Sequence, residues 1–567
     1  MRNQFAFLRW IENPSERHGM HFSRERDEWE FWSQLRLADL ARRTAAALTA
    51  RDVRRGDVVV LVHRSGPEFV ASLFGAMLAG AASSSIAPPF AFQQADDYRA
   101  RVSHMVRIAS PAAMIADDDS AGYLTDVAAE LGLRPPVRFC ELIAEAAEPA
   151  TAGVTWPADP RDVVLLQFTS GSSAPGRGVR IPASALDANV SAIMGWLRWS
   201  PGESGVTWMP VHHDMGLVGC LITPLAAGCD TWIMQPEEFI RTPLRYLRAI
   251  SDLGSRMAAM PSFGLAYLIN RVSPRHLQGL DFSALDAVIV GAERIRPGLL
   301  DSFHKFLAPF GFRREALLPA YGLAEATLCV TGLPVGEGWT SARMPVHAVG
   351  NGVASGSCPD VEVTGCGRPV AGIEVSVVDD DGAPVPDGVP GEIVVAGTSV
   401  ADGYAGGSGS ASATTLAGGV LRTGDVGFMS SGQLFVIGRM GDGLKMRGKM
   451  VFAESIEVAL QDRGIPARRA AALLGFRGDT PVATVVLENA QDSWRDAVSE
   501  VLRTQAGGAE LLIVDAPRGS IALTSSGKPR RRLMWQALTE GSLPGEVTAI
   551  QAPRPEVAAR ATEPAAR

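Results

Sequence analysis

Apolar residues in this chain cluster into short runs separated by amphipathic stretches, the alternation expected when strands and helices take turns. Leu37, Leu40, Ala41, Thr44, Ala45 and Leu48 recur at helical spacing, marking one face of a helix. The run Val58-Val59-Val60-Leu61-Val62 after the turn Gly56-Asp57 predicts a strand. A helix is expected over 67–80, then a small-residue segment over 81–87 closed by Pro88-Pro89. Alternation of this kind predicts parallel strands with crossover helices. The middle repeats it. Val206-Thr207-Trp208-Met209-Pro210 reads as a strand end, as do Thr231-Trp232-Ile233-Met234 and Ala287-Val288-Ile289-Val290. Each delivers polar residues at its carboxyl end, where open α/β sheets place their ligand crevice.

From about Ile373 the texture changes. Short β-type runs at 373–378 and 391–395, with the turn Asp379-Asp380-Asp381-Gly382 between them, predict a β-rich subdomain. Glycine and charge are dense over 438–448, the composition of a hinge. A smaller α/β unit is expected beyond it, with a helix near 453–460 and strands near 470–474 and 483–487. The tail after Pro553, rich in Ala, Pro, Arg and Glu, is expected to be disordered.

At 567 residues the chain exceeds what one hydrophobic core organises, so two or more domains are expected. A formal charge of −8 argues against a nucleic-acid partner, whose binding face would be basic. No apolar run approaches the ~20 residues of a membrane span, and the N-terminus lacks an export-signal pattern; a cytoplasmic protein is expected. Six cysteines (Cys140, Cys220, Cys229, Cys329, Cys358, Cys366) form no C-x-x-C pair. They read as reduced and mostly buried rather than as a zinc site.

The candidate chemistry begins where the run Val163-Val164-Leu165-Leu166-Gln167-Phe168 empties into Thr169-Ser170-Gly171-Ser172-Ser173-Ala174-Pro175-Gly176-Arg177-Gly178-Val179. Glycines let the backbone curl and aim N–H groups inward, while hydroxyls and a guanidinium add donors for an anion. A plain turn has the same composition, and the spacing is not that of a Walker P-loop. Four other constellations each have an equally ordinary reading. Trp208 to Gly219, with His212-His213-Asp214, is a polar helix start or a substrate-orienting group. Pro319-Ala320-Tyr321-Gly322-Leu323-Ala324-Glu325 is a helix start, or a stacking ring with a carboxylate for Mg²⁺, which typically takes one or two protein carboxylates beside substrate phosphates. Arg422-Thr423-Gly424-Asp425 with Gly438-Arg439 is a surface turn or a ribose clamp. Thr524-Ser525-Ser526-Gly527-Lys528 is a solvated basic turn, or a mobile cation for a phosphate–carboxylate transition state.

In this order the motifs, with Gly291-Ala292-Glu293 between them, resemble those of the acyl-adenylate-forming (ANL) superfamily over the whole chain up to the tail. Trp208 to Gly219, Tyr321 to Leu328 and Cys366-Gly367-Arg368-Pro369-Val370 look most like the fatty acyl-AMP ligase group. The resemblance implies an α/β fold: a large N-terminal domain of α/β subdomains plus a β-rich subdomain over 1–437, a hinge at 438–445, and a small mobile C-terminal α+β domain over 446–550. It also implies ATP and Mg²⁺ as cofactors and a role for each matched position. Thr169, Ser170, Gly171, Ser172, Ser173 and Arg177 would wrap the β- and γ-phosphates. Tyr321 would stack on adenine, beside Gly322 in the nucleotide site, with Gly291, Ala292 and Glu293 along the base and ribose. Asp425 and Arg439 would hold the ribose, Glu325 would ligate Mg²⁺, and Asp442 would be the hinge point. Lys528 would bridge carboxylate and α-phosphate, and His213 would border the acyl pocket, near 260–264.

The reaction implied is attack of a carboxylate, most simply a fatty acid, on the α-phosphate with loss of pyrophosphate. The acyl group then passes to a thiol, that of an acyl carrier protein's phosphopantetheine arm or of coenzyme A. Two departures stand out. The family commonly reads T-S-G-S-T-G-x-P-K-G-V; here Ser173 and Ala174 replace Thr and Gly, proline comes one place early, and Arg177 stands for lysine. The stretch 329–365 is longer than in CoA ligases and shorter than in typical acyl-AMP ligases. The alternatives are an acyl-CoA synthetase and a degenerate relative that binds nucleotide without catalysis.

Overall fold

The computed structural model describes residues 5–551 apart from 25–27, 90–94, 146–156, 158, 170–175, 346–359, 380, 407–413, 441–442, 447–448, 478–479, 508 and 524–527. The tail expected to be disordered and Cys358 therefore lie outside the described residues. The chain separates into a large unit, built mostly within 1–437, and a small one from Gly438 onward.

Three sheets organise the large unit. In the first, the buried strand Val58–Val62 lies between Ala82–Ser85 and Ala113–Ala116, all parallel. Ala82–Ser85 continues to Val163–Phe168, whose other edge pairs antiparallel with Gly178–Pro182 and then Gly403–Tyr404. The helices that follow the first strands are those the spacing predicts. Gln34–Ala50 starts where Ser33 Oγ accepts the Arg36 N–H at 3.3 Å, an ordinary N-cap. It packs against Pro67–Leu78, which begins on a proline, where a missing N–H costs nothing.

The second sheet has nine strands. Its parallel centre is Leu317–Gly322, Ala287–Gly291, Met257–Pro261, Ser204–Thr207, Asp230–Ile233 and Gly19–Ser23, with antiparallel strands at both edges. Register pairs Pro261 with Gly291 and Val290 with Pro319, so these strands end along one edge. The third sheet is antiparallel and holds Ile373–Val378, Gly391–Gly397 and Val420–Ser430, the β-rich texture expected after Ile373.

The small unit is α/β. Ala470–Arg477, Thr480–Glu488, Glu510–Ala516 and Glu546–Gln551 form a mixed sheet, packed with Ala453–Asp462, Asp492–Ala506 and Arg531–Thr539. The chain is thus the mixed α/β architecture expected from the sequence. Among the described residues no helix is long and apolar enough to cross a membrane.

Four of the five described cysteines are buried, and only Cys140 is exposed. Burial pushes the Cys329 and Cys366 thiols up to about 12, so neither is a nucleophile at neutral pH. Burial acts oppositely on His63, 4% exposed directly after the strand Val58–Val62: its pKa falls from 6.5 to about 4, only partly offset by Asp117. Between those values the unfolded chain binds the proton and the folded chain does not, so stability falls as pH drops from 6.5 towards 4. The loss from this group is about 3 kcal/mol. Denaturant titrations at pH 7.5 and 4.5 should show His63→Gln with a smaller acid penalty than the parent chain.

Candidate active site

The Thr169 loop is pinned at its base. Its flanking strands pair as a hairpin with Phe168 opposite Gly178. The Thr169 N–H donates to the Arg177 carbonyl at 3.0 Å, and the Arg177 N–H donates to Thr169 Oγ1 at 3.1 Å. Of the expected phosphate-wrapping residues, Thr169 and Arg177 are thus placed; Ser170, Gly171, Ser172 and Ser173 lie outside the described residues.

Arg177 reaches Glu325, 148 positions away in the chain. Nη2 donates to Glu325 Oε1 at 3.2 Å and Nη1 to the Thr414 carbonyl at 3.1 Å. The guanidinium also lies over the Tyr404 ring, 3.9 Å from its centroid, and the Tyr404 hydroxyl donates to the same Glu325 oxygen at 2.9 Å. A planar guanidinium can serve two acceptors at its edge while stacking on its face; an ammonium cannot. Tyr404 arrives through its two-residue strand beside Gly178–Pro182, paired with Val179. Nothing in the local sequence marked it, because an aromatic in so short an edge strand has no periodicity to read.

Glu325 is 3% exposed. It sits in a turn forced tight by its neighbours. Thr327 takes φ 69° and ψ −57°, and the Leu328 N–H donates to the Ala326 carbonyl at 2.9 Å, a γ-turn of the strained kind, rare for a β-branched residue. The Thr327 hydroxyl compensates by donating to the Ser399 carbonyl at 2.7 Å. Gly322 must be glycine, since a Cβ there would stand 1.9 Å from the Leu328 carbonyl oxygen.

Four residues before Glu325, the Tyr321 hydroxyl donates to Asp425 Oδ2 at 2.6 Å. Asp425 is held by its own strand, its N–H donating to Thr423 Oγ1 at 3.0 Å. Behind it the buried Glu392 accepts bonds from Arg422 and from the Gly424 N–H. Glu392 is a supporting residue with no local sequence signature, because its partners lie some 30 residues away. Gly291-Ala292-Glu293 leaves its strand through Ala292 at φ 63°, and Glu293 Oε2 accepts the Phe263 N–H at 3.1 Å. That bond caps the first turn of Ser262–Arg271, where backbone N–H groups lack helical partners.

His213 donates through Nδ1 to Asp214 Oδ1 at 2.9 Å, and the same carboxylate oxygen accepts the Met215 N–H at 2.8 Å. Asp214 thereby caps Met215–Ile222, a π-helix that opens where Gly216 passes Pro210. A Cβ on Gly216 would lie 2.1 Å from the Pro210 carbonyl oxygen. Such helices recur at functional sites. Beside His213, burial lowers the His212 pKa to about 3, with His213 and Arg101 adding to the effect, so His212 stays neutral. Trp208 stacks on Phe239 with centroids 4.0 Å apart and meets Phe263 edge-on at 5.6 Å. These rings form an apolar wall next to 260–264.

The large unit therefore brings together Thr169, Arg177, Glu325 and Tyr404 in one cluster, and Tyr321 with Asp425 in another. Arg439, which ends Gln433–Arg439, and Lys528 belong to the small unit. Lys528 directly follows 524–527 and is half-buried. Asp442 lies outside the described residues.

Residues 7–405 match the model of the AMP-binding enzyme family. The chain is 30% identical over 538 residues to a putative fatty-acid–CoA ligase of Mycobacterium tuberculosis, covering 88% of this chain and 90% of the relative. It is 29% identical over 542 residues to a medium-chain-fatty-acid–[acyl-carrier-protein] ligase of Moorena producens, covering 89% and 90%. A solved chain from structural work on fatty acyl-adenylate ligases of E. coli and L. pneumophila superposes with a TM-score of 0.86 at 26% identity, covering 95% of this chain and 98% of that one. The chain belongs to the AMP-binding enzyme family, the acyl-adenylate-forming ligases that join an acid to a thiol through a mixed anhydride with AMP.

Proposed function

We propose that this enzyme activates a fatty acid as its acyl-adenylate, releasing pyrophosphate, and then passes the acyl group to the phosphopantetheine thiol of an acyl carrier protein. The observation that carries the reading is the buried Glu325 met by Arg177 at the base of the hydroxyl- and glycine-rich loop. Cation and carboxylate side by side suit a triphosphate with its metal. A single buried carboxylate fits Mg²⁺, which completes its shell with phosphate oxygens and water. When bound, Mg²⁺ would neutralise charge on the departing pyrophosphate. Thr169 and Arg177 would grip the β- and γ-phosphates, with Ser170, Gly171, Ser172 and Ser173 completing the loop. Tyr321 and Gly322 would flank adenine, Gly291, Ala292 and Glu293 would line base and ribose, and Asp425 with Arg439 would accept and orient the ribose hydroxyls. Lys528 would meet the reacting oxygens, carried by a C-terminal domain over 446–550 that swings about a hinge at 438–445. His213, oriented by Asp214, would border the acyl pocket, with the Trp208–Phe239 stack as its wall. The large term is positioning and charge compensation, as in phosphoryl transfer generally.

Asp425→Ala should raise KM for ATP by about 10- to 100-fold, the worth of one or two hydrogen bonds to a charged group. Initial rates at saturating acid would measure it. For the acceptor, the acyl-carrier-protein ligase of Moorena producens supports the carrier, while the mycobacterial relative's name supports coenzyme A as the second reading. Offering holo-carrier and coenzyme A to the same preformed acyl-adenylate separates the two: efficient acyl-CoA formation without carrier loading would overturn the first.

A further inference from the structure

Glu325 Oε1 accepts two bonds at once, from Arg177 Nη2 at 3.2 Å and from the Tyr404 hydroxyl at 2.9 Å. A carboxylate oxygen offers about two lone-pair directions, so both are taken. The two donors also brace each other, because the Arg177 guanidinium rests on the Tyr404 ring and its other arm is tied to the Thr414 carbonyl. The three side chains come from three distant segments and meet out of bulk water, with Arg177 only 20% exposed. In that setting charge-assisted bonds are strong and an unpaired carboxylate is costly.

We propose that Arg177 and Tyr404 form a latch on Glu325 that couples nucleotide binding to the divalent cation, with Tyr404 as its positioning residue. The proposal rests on the reading above, in which this site takes Mg²⁺ and ATP. A cation bound through Oε1 competes with both donors for the same lone pairs. Arg177, once displaced, is free to turn to the triphosphate from the loop base it already occupies. ATP arriving without a cation must draw Arg177 away and leave the buried carboxylate facing a polyanion with Tyr404 alone to hold it. Metal-free nucleotide is thereby disfavoured.

The test is direct ATP binding to the full chain by isothermal titration calorimetry, in excess EDTA and again with Mg²⁺, and the quantity read is the ratio of the two Kd values. In the parent chain Mg²⁺ should tighten ATP binding by more than about tenfold, the scale of one charge-assisted hydrogen bond. Glu325→Gln removes the charge that holds Arg177, so metal-free binding should tighten and the ratio should collapse to about twofold or less. Tyr404→Phe keeps the stacking face and loses only the hydroxyl, so metal-free binding should weaken and the ratio should widen by about threefold. The two variants thus move the ratio in opposite directions, which a loss of folding or of general packing would not do. If Glu325→Gln does not fold, Tyr404→Phe still decides. A parent chain that binds Mg²⁺·ATP, with the same ratio in both variants, overturns the latch and leaves the functional reading standing. A parent chain that binds no ATP under either condition overturns both.

Discussion

Lys528→Ala is expected to lower acyl-adenylate formation by about 10²- to 10³-fold, the usual cost of removing one preorganised donor to developing charge. Lys528 is half-buried, not enclosed in the core, so truncation should leave the small unit folded. Its ammonium is a compact point charge on a flexible stem, suited to following oxygens whose charge shifts between carboxylate and α-phosphate. Lys528→Arg should recover only part of the rate, because a planar fork cannot track one moving oxygen as closely. The defect should be confined to the first half-reaction. Supplied with synthetic acyl-adenylate, Lys528→Ala should still load its thiol acceptor at close to the parent rate. Adenylation retained within about threefold would remove Lys528 from the charge-stabilising role.

Arg531→Ala is expected to destabilise the small unit by about 3–5 kcal/mol, the cost of stripping a buried charge of its partner. Arg531 is 11% exposed and donates to Glu454 at 2.9 Å and to Glu457 at 2.8 Å. Glu457 is further committed, accepting the Ala472 N–H at 2.9 Å, and so cannot turn to solvent when the arginine is lost. Arg531→Met, which restores packing but not charge, should be nearly as damaging. Because the chain has two units, the effect should appear as a lowered transition for one of them rather than a uniform shift. Hydrogen exchange within Ala453–Asp462 and Ala470–Arg477 would locate it.

Arg531 also shows where reading the chain alone stops. In sequence, Arg530-Arg531-Arg532 is a basic cluster beside a turn and reads as solvated. The partners that bury its middle member lie more than 70 positions earlier, on one face of a helix. Tyr404 and Glu392 were illegible for the same reason. Their roles are set by strand pairing across the fold, and neither stands in a run with a period. The Tyr321–Asp425 bond spans 104 positions, so each residue was legible as a candidate while their partnership was not.

Local order was legible where local physics decides it. Val58–Val62 and Ile373–Val378 keep the bounds their apolar runs mark, and the helices at Gln34–Ala50 and Ala453–Asp462 extend the expected ones by a few residues. The π-helix Met215–Ile222 was not foreseen, because Met215-Gly216-Leu217-Val218 gives no i to i+5 signature. Nor was the hairpin of Gly19–Ser23 with Trp29–Ser33, whose place beside Asp230–Ile233 is fixed by pairing over two hundred positions. The loop that first marked the chain's chemistry was legible in composition, and the residue that distinguishes it is Arg177. Its stacking and forked bonding to Tyr404, Thr414 and Glu325 are contacts a lysine at that position would not reproduce together.

Formation of an acyl-adenylate from a carboxylic acid, with no thiol needed, is the activity expected of this chain. Its most direct measurement is exchange of labelled pyrophosphate into ATP, with Mg²⁺ present, no acceptor added, and a panel of short-, medium- and long-chain fatty acids. Exchange that depends on the acid, and that Lys528→Ala abolishes, is the predicted result. Absence of exchange with every acid, from a chain that binds Mg²⁺·ATP, would contradict it and leave a nucleotide-binding relative without catalysis.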